Sequence, residues 1–269
     1  MIPEALFRID GEPSASLLLP DRGLEFGDGL FETLLLRRGH PLHIDVHLER
    51  LQAGLEQLGV PVVIARARRH LQAAAAACSG HDWAALRLTV TRGSAPRGYA
   101  PPVPATPRVL VAVSAITRDC RLQLSPATVA WSQLRWGAQP ALAGLKHLNR
   151  LEQVLAAGEA QRAGLDDVLV ADQRGQPAST SAGNLFAVCG GRLLTPALTD
   201  CGIAGTRRRL VLERWAPAIG IAAEEAVLSV IQVEEADELF YCNSLQGIRP
   251  VAALGERQWQ AHPVARRLH

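Results

Sequence analysis

One lysine, Lys146, stands among 27 arginines in this chain of 269 residues. Arginine supplies the positive charge elsewhere, so charge alone does not account for this lysine. A desolvated lysine amine can lose its proton and attack a carbonyl carbon near neutral pH, whereas a guanidinium stays protonated. The count therefore raises two interpretations, a lysine that forms a Schiff base and an ordinary surface lysine, and it does not decide between them.

Other residues that could do chemistry give modest signals on their own. The stretch Gly202-Ile203-Ala204-Gly205-Thr206 precedes a predicted helix, where backbone N–H groups and the helix dipole favour a phosphate. A flexible loop with an ordinary helix cap is the simpler interpretation of that stretch. Arg50 by itself resembles a solvated arginine. Arg92, Arg97 and Tyr99 could hold a carboxylate, or could belong to a mobile loop with solvated arginines.

A metal site is not predicted. His43 and His47 are four residues apart with Asp45 between them, a spacing that would suit a metal pair on one helix. Pro41 and the β-branched Ile44 argue against a continuous helix there, and no third ligand is evident.

Composition limits the class of protein. The chain is 48% apolar, and its length allows one large or two medium globular domains. A net charge of +2 gives no reason to expect nucleic acid as a partner. The five cysteines are scattered without a CxxC pair, so neither a disulfide framework nor a zinc site is indicated. Without a signal peptide at residues 1–4 or an apolar run of membrane-spanning length, we expect a soluble cytoplasmic protein with no membrane partner.

Residues 1–115 are predicted to form one α+β domain. Hydrophobic alternation indicates strands, and apolar residues at helical spacing indicate helices. The predicted strands are residues 16–19, 30–36, 84–91 and 108–114, and the predicted helices are residues 47–58 and 62–78. Residues 116–126 lack clear periodicity and are the candidate linker.

Residues 127–269 are predicted to form a separate α/β domain that carries Lys146. Its predicted helices are residues 149–163, 207–215 and 230–237. Its predicted strands are residues 128–132, 168–171, 185–188, 192–195, 221–227, 238–242 and 248–253. The pair Gly190-Gly191 lies between two of these strands and indicates a hairpin.

Six motifs together resemble those of class IV (fold type IV) pyridoxal-phosphate enzymes. They occur in the family's order and are Phe26-Gly27-Asp28-Gly29-Leu30-Phe31-Glu32-Thr33, His47-Leu48-Glu49-Arg50-Leu51, Gly144-Leu145-Lys146-His147-Leu148-Asn149-Arg150-Leu151-Glu152-Gln153, Asn184-Leu185-Phe186, Gly202-Ile203-Ala204-Gly205 and Cys242-Asn243. That family includes branched-chain aminotransferases, D-amino-acid transaminases and 4-amino-4-deoxychorismate lyases. The resemblance covers nearly the whole chain, and residues 142–155 are most similar to the lyases.

The resemblance implies a fold, a cofactor and a set of site residues. It implies a two-domain α/β fold with pyridoxal 5'-phosphate between the domains, a homodimer, and Lys146 as the catalytic residue that holds the cofactor aldehyde. The cofactor-binding residues that it implies are Arg50, Lys146, Ser179, Asn184, Ile203, Ala204, Gly205, Thr206, Asn243 and Ser244. The candidate substrate-binding residues are Phe31, Arg92, Arg97 and Tyr99.

One position departs from the family pattern. The family usually carries a glutamate five residues before the asparagine of Asn-Leu-Phe, and this chain has Ser179 there. A carboxylate keeps the pyridine nitrogen protonated and makes the ring an electron sink, and a serine hydroxyl does not supply that charge.

The implied activity is a carbon–oxygen lyase reaction on a small molecule. A 4-amino-4-deoxychorismate lyase releases p-aminobenzoate, which feeds folate synthesis, and pyruvate. Two alternatives stay open, a branched-chain or D-amino-acid aminotransferase on the same fold and a catalytically silent binder of the cofactor. Ser179 is the reason for the second alternative, because its hydroxyl is a weaker partner for the ring nitrogen than a carboxylate.

Overall fold

A computed structural model of the chain describes residues 6–13, 16–17 and 19–269. These residues form two compact units. The first unit runs up to Cys120 and includes Lys146–Asn149, and the second comprises Arg121–Leu145 and Arg150–His269. Lys146 thus belongs to the first unit, although the predicted domain boundaries placed it in the second.

The first unit is built on one antiparallel sheet. In the described part of the chain its strands are β1 (Leu6–Ile9), β2 (Glu12–Pro13), β3 (Gly29–Arg37), β4 (His40–Pro41), β5 (Trp83–Thr91) and β6 (Arg108–Ala115). Their order is β2-β1-β6-β5-β3-β4, and every neighbouring pair is antiparallel. The helices are α1 (Arg22–Phe26), α2 (Ile44–Gln57) and α3 (Ile64–Ala76).

Strand β5 shows why this sheet has two unlike faces. Leu86, Leu88 and Val90 are fully buried, while Arg87 between them is exposed. Side chains alternate across a strand, so one face of the sheet belongs to the core and the other carries polar groups. Helix α2 contacts β3, and α3 contacts β5 and β6.

Two local predictions for this unit are wrong. Ser16, Leu17 and Leu19 form no strand, and the remaining residue of that predicted strand, Leu18, lies outside the described residues. Helix α2 begins at Ile44, three residues before the predicted start. His43 is its N-cap residue, with a φ of 53°, so the helix starts in spite of the β-branched residue at its first position.

The second unit is built on a mixed sheet. Its strands, within the described residues, are β7 (Ala127–Trp136), β8 (Asp167–Asp172), β9 (Pro177–Thr180), β10 (Asn184–Cys189), β11 (Arg192–Pro196), β12 (Ala223–Ala226), β13 (Glu238–Asn243), β14 (Gly247–Leu254) and β15 (Arg257–Gln258). The order is β12-β11-β10-β13-β14-β7-β8-β9, with β15 on β14. The pairs β11–β12, β14–β7 and β7–β8 are parallel, and the others are antiparallel.

Short helices cover this sheet. They are α4 (Leu151–Ala163), α5 (Thr206–Leu210), α6 (Ala216–Ala218), α7 (Val230–Glu234) and α8 (Pro263–Leu268), and a π-helical turn, Val211–Trp215, joins α5 to α6. The sheet is buried on both faces: Leu185 and Tyr241 belong to one core, while the stacked rings of Phe186 and Phe240, 5.1 Å apart, belong to another. A strand that is buried on both sides reads as a continuous apolar run, as Leu185–Val188 does. The predicted α/β class is confirmed. No helix among the described residues is long and apolar enough to cross a membrane.

Candidate active site

The main chain around Lys146 runs along the start of β3. Phe31 N donates to Lys146 O at 3.0 Å, and Leu148 N donates to Gly29 O at 3.1 Å. The ammonium nitrogen Nζ of Lys146 lies 4.2 Å from the centroid of the Phe31 ring. Strand β3 therefore fixes the backbone of the half-buried lysine and supplies an aromatic surface for its side chain.

The turn before β3 explains two glycines of the Phe26–Thr33 motif. Asn149 Nδ2 donates to Gly27 O at 3.3 Å. Gly27 has a φ of 66°, and a Cβ at that position would lie 2.4 Å from Asn149 Oδ1. A Cβ at Gly29 would lie 2.4 Å from Val90 O. Both positions need glycine because neighbouring groups of the lysine segment and of β5 occupy the space of a side chain.

Within the second unit, Gly144 binds the glycine-rich stretch of residues 202–206. Gly144 N donates to Gly202 O, and Ala204 N donates to Gly144 O, both at 3.0 Å. Gly144 has a φ of 80°, a conformation that favours glycine. The backbone two residues before Lys146 is thereby fixed by hydrogen bonds to Gly202 and Ala204.

That glycine-rich stretch leads into α5 and forms a candidate anion site. Asn184 Nδ2 donates to Ile203 O at 2.8 Å, and a Cβ on Gly205 would lie 2.0 Å from Asn184 Oδ1. Thr206 begins the helix, and its Oγ1 lies 3.3 Å from Ser244 Oγ. Backbone N–H groups at a helix start together with two hydroxyls are a donor set typical of phosphate sites.

Asn243 shapes the turn that carries Ser244. Its Oδ1 accepts from Leu245 N at 3.0 Å and from Gln246 N at 2.7 Å. Its backbone oxygen accepts from Arg207 Nε at 2.8 Å. The side-chain oxygen of Asn243 therefore positions the Ser244 hydroxyl.

A buried carboxylate lies one residue after Phe31. Glu32 is 1% exposed; its Oε1 accepts from Arg50 Nε at 2.8 Å, and its Oε2 accepts from Arg50 Nη2 at 2.5 Å and lies 2.6 Å from His47 Nδ1. Sequence reasoning considered His47 only as a metal ligand and gave Glu32 no role, although both lie in the family motifs. Two donor nitrogens of Arg50 thus face Glu32. The role of Arg50 in holding a phosphate stays a prediction.

Charge explains how this buried group is stable. Burial alone would raise the pKa of Glu32, but the Arg50 guanidinium and the hydrogen bond from His47 outweigh burial and lower that pKa to about 2. Burial lowers the pKa of His47 below its usual value. The imidazole is therefore neutral near pH 7, and its Nδ1–H donates to the carboxylate. The carboxylate and the guanidinium balance each other's charge.

Arg92 binds protein groups rather than solvent. It is 6% exposed, and its Nε donates to Asp28 Oδ2 at 2.7 Å. Its Nη1 and Nη2 donate to the backbone oxygens of Gly59 and Leu58 at 2.9 and 2.8 Å, just beyond α2. These bonds tie the base of the predicted substrate loop to α2, and a direct contact of Arg92 with substrate stays a prediction.

Arg22, which the sequence did not single out, holds the tip of the same loop. It is 4% exposed, and its Nε donates to Asp28 Oδ2 at 2.7 Å. Its Nη1 donates to Gly98 O at 2.9 Å, and its Nη2 donates to Tyr99 O at 2.8 Å. Arg97 and Tyr99 are themselves exposed. Arg22 therefore fixes the backbone of the loop that presents these two predicted substrate-binding residues.

Arg22→Gln should loosen this loop without unfolding the unit. Glutamine cannot replace three hydrogen bonds from a guanidinium, so local opening around Gly98 becomes more frequent. We expect trypsin to cleave after the exposed Arg97 about tenfold faster than in the parent protein. The control is Arg38→Gln, which removes an exposed pair with Asp82. An equal cleavage rate at Arg97 in parent and Arg22→Gln would contradict the role given to Arg22.

The two histidines considered for a metal have different surroundings. His47 lies beside Glu32, and His43 is the N-cap residue of α2 in a left-handed conformation. Within the part of the chain that the structure describes, no group of three or more His, Cys, Asp or Glu side chains could hold a metal ion.

Comparison with known families decides the class of this protein. The family model described as amino-transferase class IV matches residues 29–254. The chain belongs to the class IV amino-transferase family. The resemblance drawn from the six motifs is thereby confirmed.

Individual members of the family differ in how similar they are to the chain. Aminodeoxychorismate lyase of Vibrio harveyi is 32% identical over 250 residues, which are 93% of this chain and 91% of that protein. The crystal structure of 4-amino-4-deoxychorismate lyase from Pseudomonas aeruginosa has a TM-score of 0.89 and 41% identity, covering 98% of this chain and 96% of that one. A hypothetical aminotransferase from Mycobacterium tuberculosis, solved in its PLP-bound form, has a TM-score of 0.81 and 24% identity, covering 95% and 91% of the two chains. At 24% identity the likeness concerns the fold alone.

Ser179, where the class IV pattern has glutamate, lies buried on β9. Its Oγ accepts from Trp136 Nε1 at 2.8 Å and donates to Thr180 O at 2.9 Å. A hydroxyl has one proton, and Ser179 donates that proton in its hydrogen bond to the Thr180 oxygen. In this arrangement Ser179 can accept a further hydrogen bond but cannot donate one.

The two units thus divide the predicted site residues between them. The first unit brings Lys146 against Phe31 and Arg50 against Glu32, and it orders the loop with Arg97 and Tyr99. The second unit brings together other residues predicted to bind the cofactor, which are Asn184, Ile203, Ala204, Gly205, Thr206, Asn243 and Ser244. Ser179 lies at the end of β9, whose turn into β10 is bound by Asn243 through Ala182 O at 3.3 Å.

Proposed function

We propose that this chain is a pyridoxal-phosphate-dependent 4-amino-4-deoxychorismate lyase, a carbon–oxygen lyase that forms p-aminobenzoate and pyruvate. The observation that carries the proposal is the 41% identity, over 98% of the chain, with a solved structure of that lyase. The curated lyase from Vibrio harveyi supports it at 32% identity. The aminotransferase structure is only 24% identical, which supports the alternative less well.

The residues of the site fit the cofactor chemically. Lys146 offers the one primary amine of any side chain in the sequence, and it is half-buried. The hydroxyls of Thr206 and Ser244 and the backbone at the start of α5 suit a phosphate. Gly205 is kept free of a side chain by Asn184. We propose that Lys146 holds the aldehyde and that these groups, with Arg50, hold the phosphate.

Each residue has a defined task in the proposed reaction. The cofactor, when bound, supplies an electron sink. Lys146 Nζ removes the proton from the amine-bearing carbon of the substrate and returns a proton to the methylene carbon of the departing enolpyruvyl group. The electron pair of the broken carbon–oxygen bond leaves with the pyruvate oxygen, and the carbocycle becomes aromatic. Arg97 and Tyr99 are proposed to hold a substrate carboxylate, on the loop that Arg22 fixes.

The deciding experiment measures both products from one substrate. The purified protein is incubated with pyridoxal phosphate and aminodeoxychorismate, and p-aminobenzoate and pyruvate are quantified together. Equal amounts of the two, without any added keto acid, would support the lyase. Amino transfer that depends on a keto acid would favour the aminotransferase, and a cofactor absorption band without turnover would favour a silent binder. We further propose a cytoplasmic homodimer, which light scattering after size exclusion tests.

Ser179→Glu should raise transamination of simple amino acids more than lyase turnover. A carboxylate at this position can keep a pyridine nitrogen protonated, and transamination needs that charge because no aromatic product drives it. Elimination from aminodeoxychorismate gains an aromatic ring, so it depends less on the electron sink. Both activities are measured in the parent, in Ser179→Glu and in Ser179→Ala, which removes the hydroxyl without adding charge. A parent protein that transaminates well, or a Ser179→Glu variant in which both activities rise by the same factor, would contradict this prediction.

A further inference from the structure

Arg87 shares an aromatic ring with the proposed catalytic lysine. Its guanidinium carbon lies 3.8 Å from the centroid of the Phe31 ring, and Lys146 Nζ lies 4.2 Å from the same centroid. The two cationic groups are therefore no farther apart than the sum of these two distances. Strand register explains the arrangement, because Arg87 on β5 lies directly across from Thr33 on β3, two residues after Phe31.

Arg87 has no negative partner in the described parts of the chain. Among residues 6–13, 16–17 and 19–269, its guanidinium stacks on the ring of Phe31 and forms no ion pair. Arg22, Arg92 and Arg50, by contrast, each bind a carboxylate of the same unit. Burial of part of the Arg87 side chain lowers its pKa below the usual value, yet an arginine stays protonated. Because Arg87 is exposed and pairs with no carboxylate among the described residues, its guanidinium is accessible to an anionic ligand.

Arg87 also borders a cavity lined by residues of β1, β5 and β6. The cavity has a volume of about 320 Å³, and its apolar part is formed by Phe7, Leu17 and Leu110. Arg8 adds a second guanidinium, and the described residues that line the cavity include no carboxylate. An apolar wall with a few charged groups is the usual make-up of a small-molecule site.

We infer that Arg87 binds the ring carboxylate of the substrate while the amine-bearing carbon faces Lys146. The inference rests on the proposed function, because in aminodeoxychorismate and p-aminobenzoate the carboxylate and the amine occupy opposite ends of one six-membered ring. The guanidinium carbon of Arg87 and Nζ of Lys146 are at most about 8 Å apart, because both lie close to the centroid of the Phe31 ring. A guanidinium binds a carboxylate through two parallel hydrogen bonds, which also orients the ring.

The same placement would discriminate against simple amino acids. In an α-amino acid the carboxylate is attached to the amine-bearing carbon itself, so it cannot reach a group at the far end of a ring. Arg87 would therefore contribute to binding of the lyase substrate and not to binding of an aminotransferase substrate. This makes Arg87 a specificity-determining residue as well as a binding residue.

The test compares two ligands that differ only in charge. Titration of the pyridoxal-phosphate-loaded protein with p-aminobenzoate and with the uncharged p-aminobenzamide gives two dissociation constants. We expect the parent to prefer the acid by about tenfold or more, and Arg87→Gln to lose that preference by weakening binding of the acid alone. Arg87→Lys should keep part of the preference for the acid. The control is Arg37→Gln, since Arg37 also stacks on an aromatic ring, that of Trp83, at 5.7 Å.

The outcomes separate this inference from the proposed function. A parent that binds both ligands equally, or an Arg87→Gln variant that keeps the full preference for the acid, would overturn the role of Arg87. An Arg87→Gln variant that keeps both its lyase activity and the parent's KM for aminodeoxychorismate would also overturn the role of Arg87. If the parent has no lyase activity but Arg87→Gln still weakens binding of the acid selectively, the carboxylate site stands and the proposed function fails.

Discussion

Lys146→Ala should lower the proposed lyase activity by at least about 10⁴-fold and abolish the visible absorption band of the cofactor. No other side chain in the sequence carries a primary amine, so no neighbouring lysine can take over. Strand β3 holds the backbone of Lys146 through Phe31 N, and the substitution leaves that bond in place. The protein should therefore stay folded while it loses the reacting group.

Reduction with borohydride tests the assignment directly. The parent protein, loaded with pyridoxal phosphate and reduced, should carry the added mass on the peptide that contains Lys146. Lys146→Arg is the matched control because it keeps the positive charge beside Phe31 but cannot attack a carbonyl. It should be as inactive and as unlabelled as the alanine variant. Label found only on the N-terminal amine of the parent protein would show that Lys146 does not bind the cofactor.

Parts of the candidate site could be located from sequence because their signals are local, and the binding roles of these residues stay predictions. Each of three features can be seen from a few neighbouring residues and has a physical reason. They are a solitary lysine, a glycine pair around an aspartate and a glycine-rich stretch before a helix. Long periodic elements were found for the same reason, as the predicted strand at 84–91 and the observed β5 show. The predicted hairpin at Gly190-Gly191 is confirmed by the pairing of β10 with β11.

The parts that sequence could not supply depend on distant pairing. Arg22 binds loop carbonyls more than seventy positions away, and nothing near it marks that role. Asp28 lies in a quoted motif, but its two arginine partners become visible only when the sheet brings them together. The sequence analysis gave Arg87 no role, and its contact with the Phe31 ring depends on the pairing of β5 with β3. Short β9 (Pro177–Thr180) has too few residues to show a period.

Glu32→Gln is expected to lower the free energy of unfolding by about 3 kcal/mol at pH 7. The substitution keeps the size of the side chain but removes the negative charge, so it leaves the largely buried Arg50 guanidinium without its counter-charge. His47 Nδ1–H would still find an oxygen acceptor, and for this reason we expect the lower end of the range seen for broken buried pairs. Urea denaturation followed by circular dichroism measures the difference.

The same substitution should remove a pH dependence. The pKa of Glu32 is lowered to about 2 in the folded protein from an ordinary value of 4.5. A depressed carboxyl pKa stabilises the fold above the unfolded value, and this contribution is lost as the pH falls from about 4.5 towards 2. The parent protein should therefore lose stability steeply in that range, and Glu32→Gln should lose less. Asp82→Asn is the control: it breaks the exposed pair with Arg38 and should cost less than about 1 kcal/mol.

Cofactor affinity in the same variant distinguishes two tasks for Arg50. If Glu32 only holds Arg50 in place for a phosphate, its removal would lower stability and would also weaken binding of pyridoxal phosphate, because the guanidinium becomes free to move. If Glu32 competes with the phosphate for the same two nitrogens, its removal would instead strengthen cofactor binding. The bidentate pair at 2.8 and 2.5 Å favours the first result, since the carboxylate fixes the plane of the guanidinium. An unchanged unfolding free energy together with an unchanged cofactor dissociation constant would contradict both tasks, and Glu32 would then have no part in positioning Arg50.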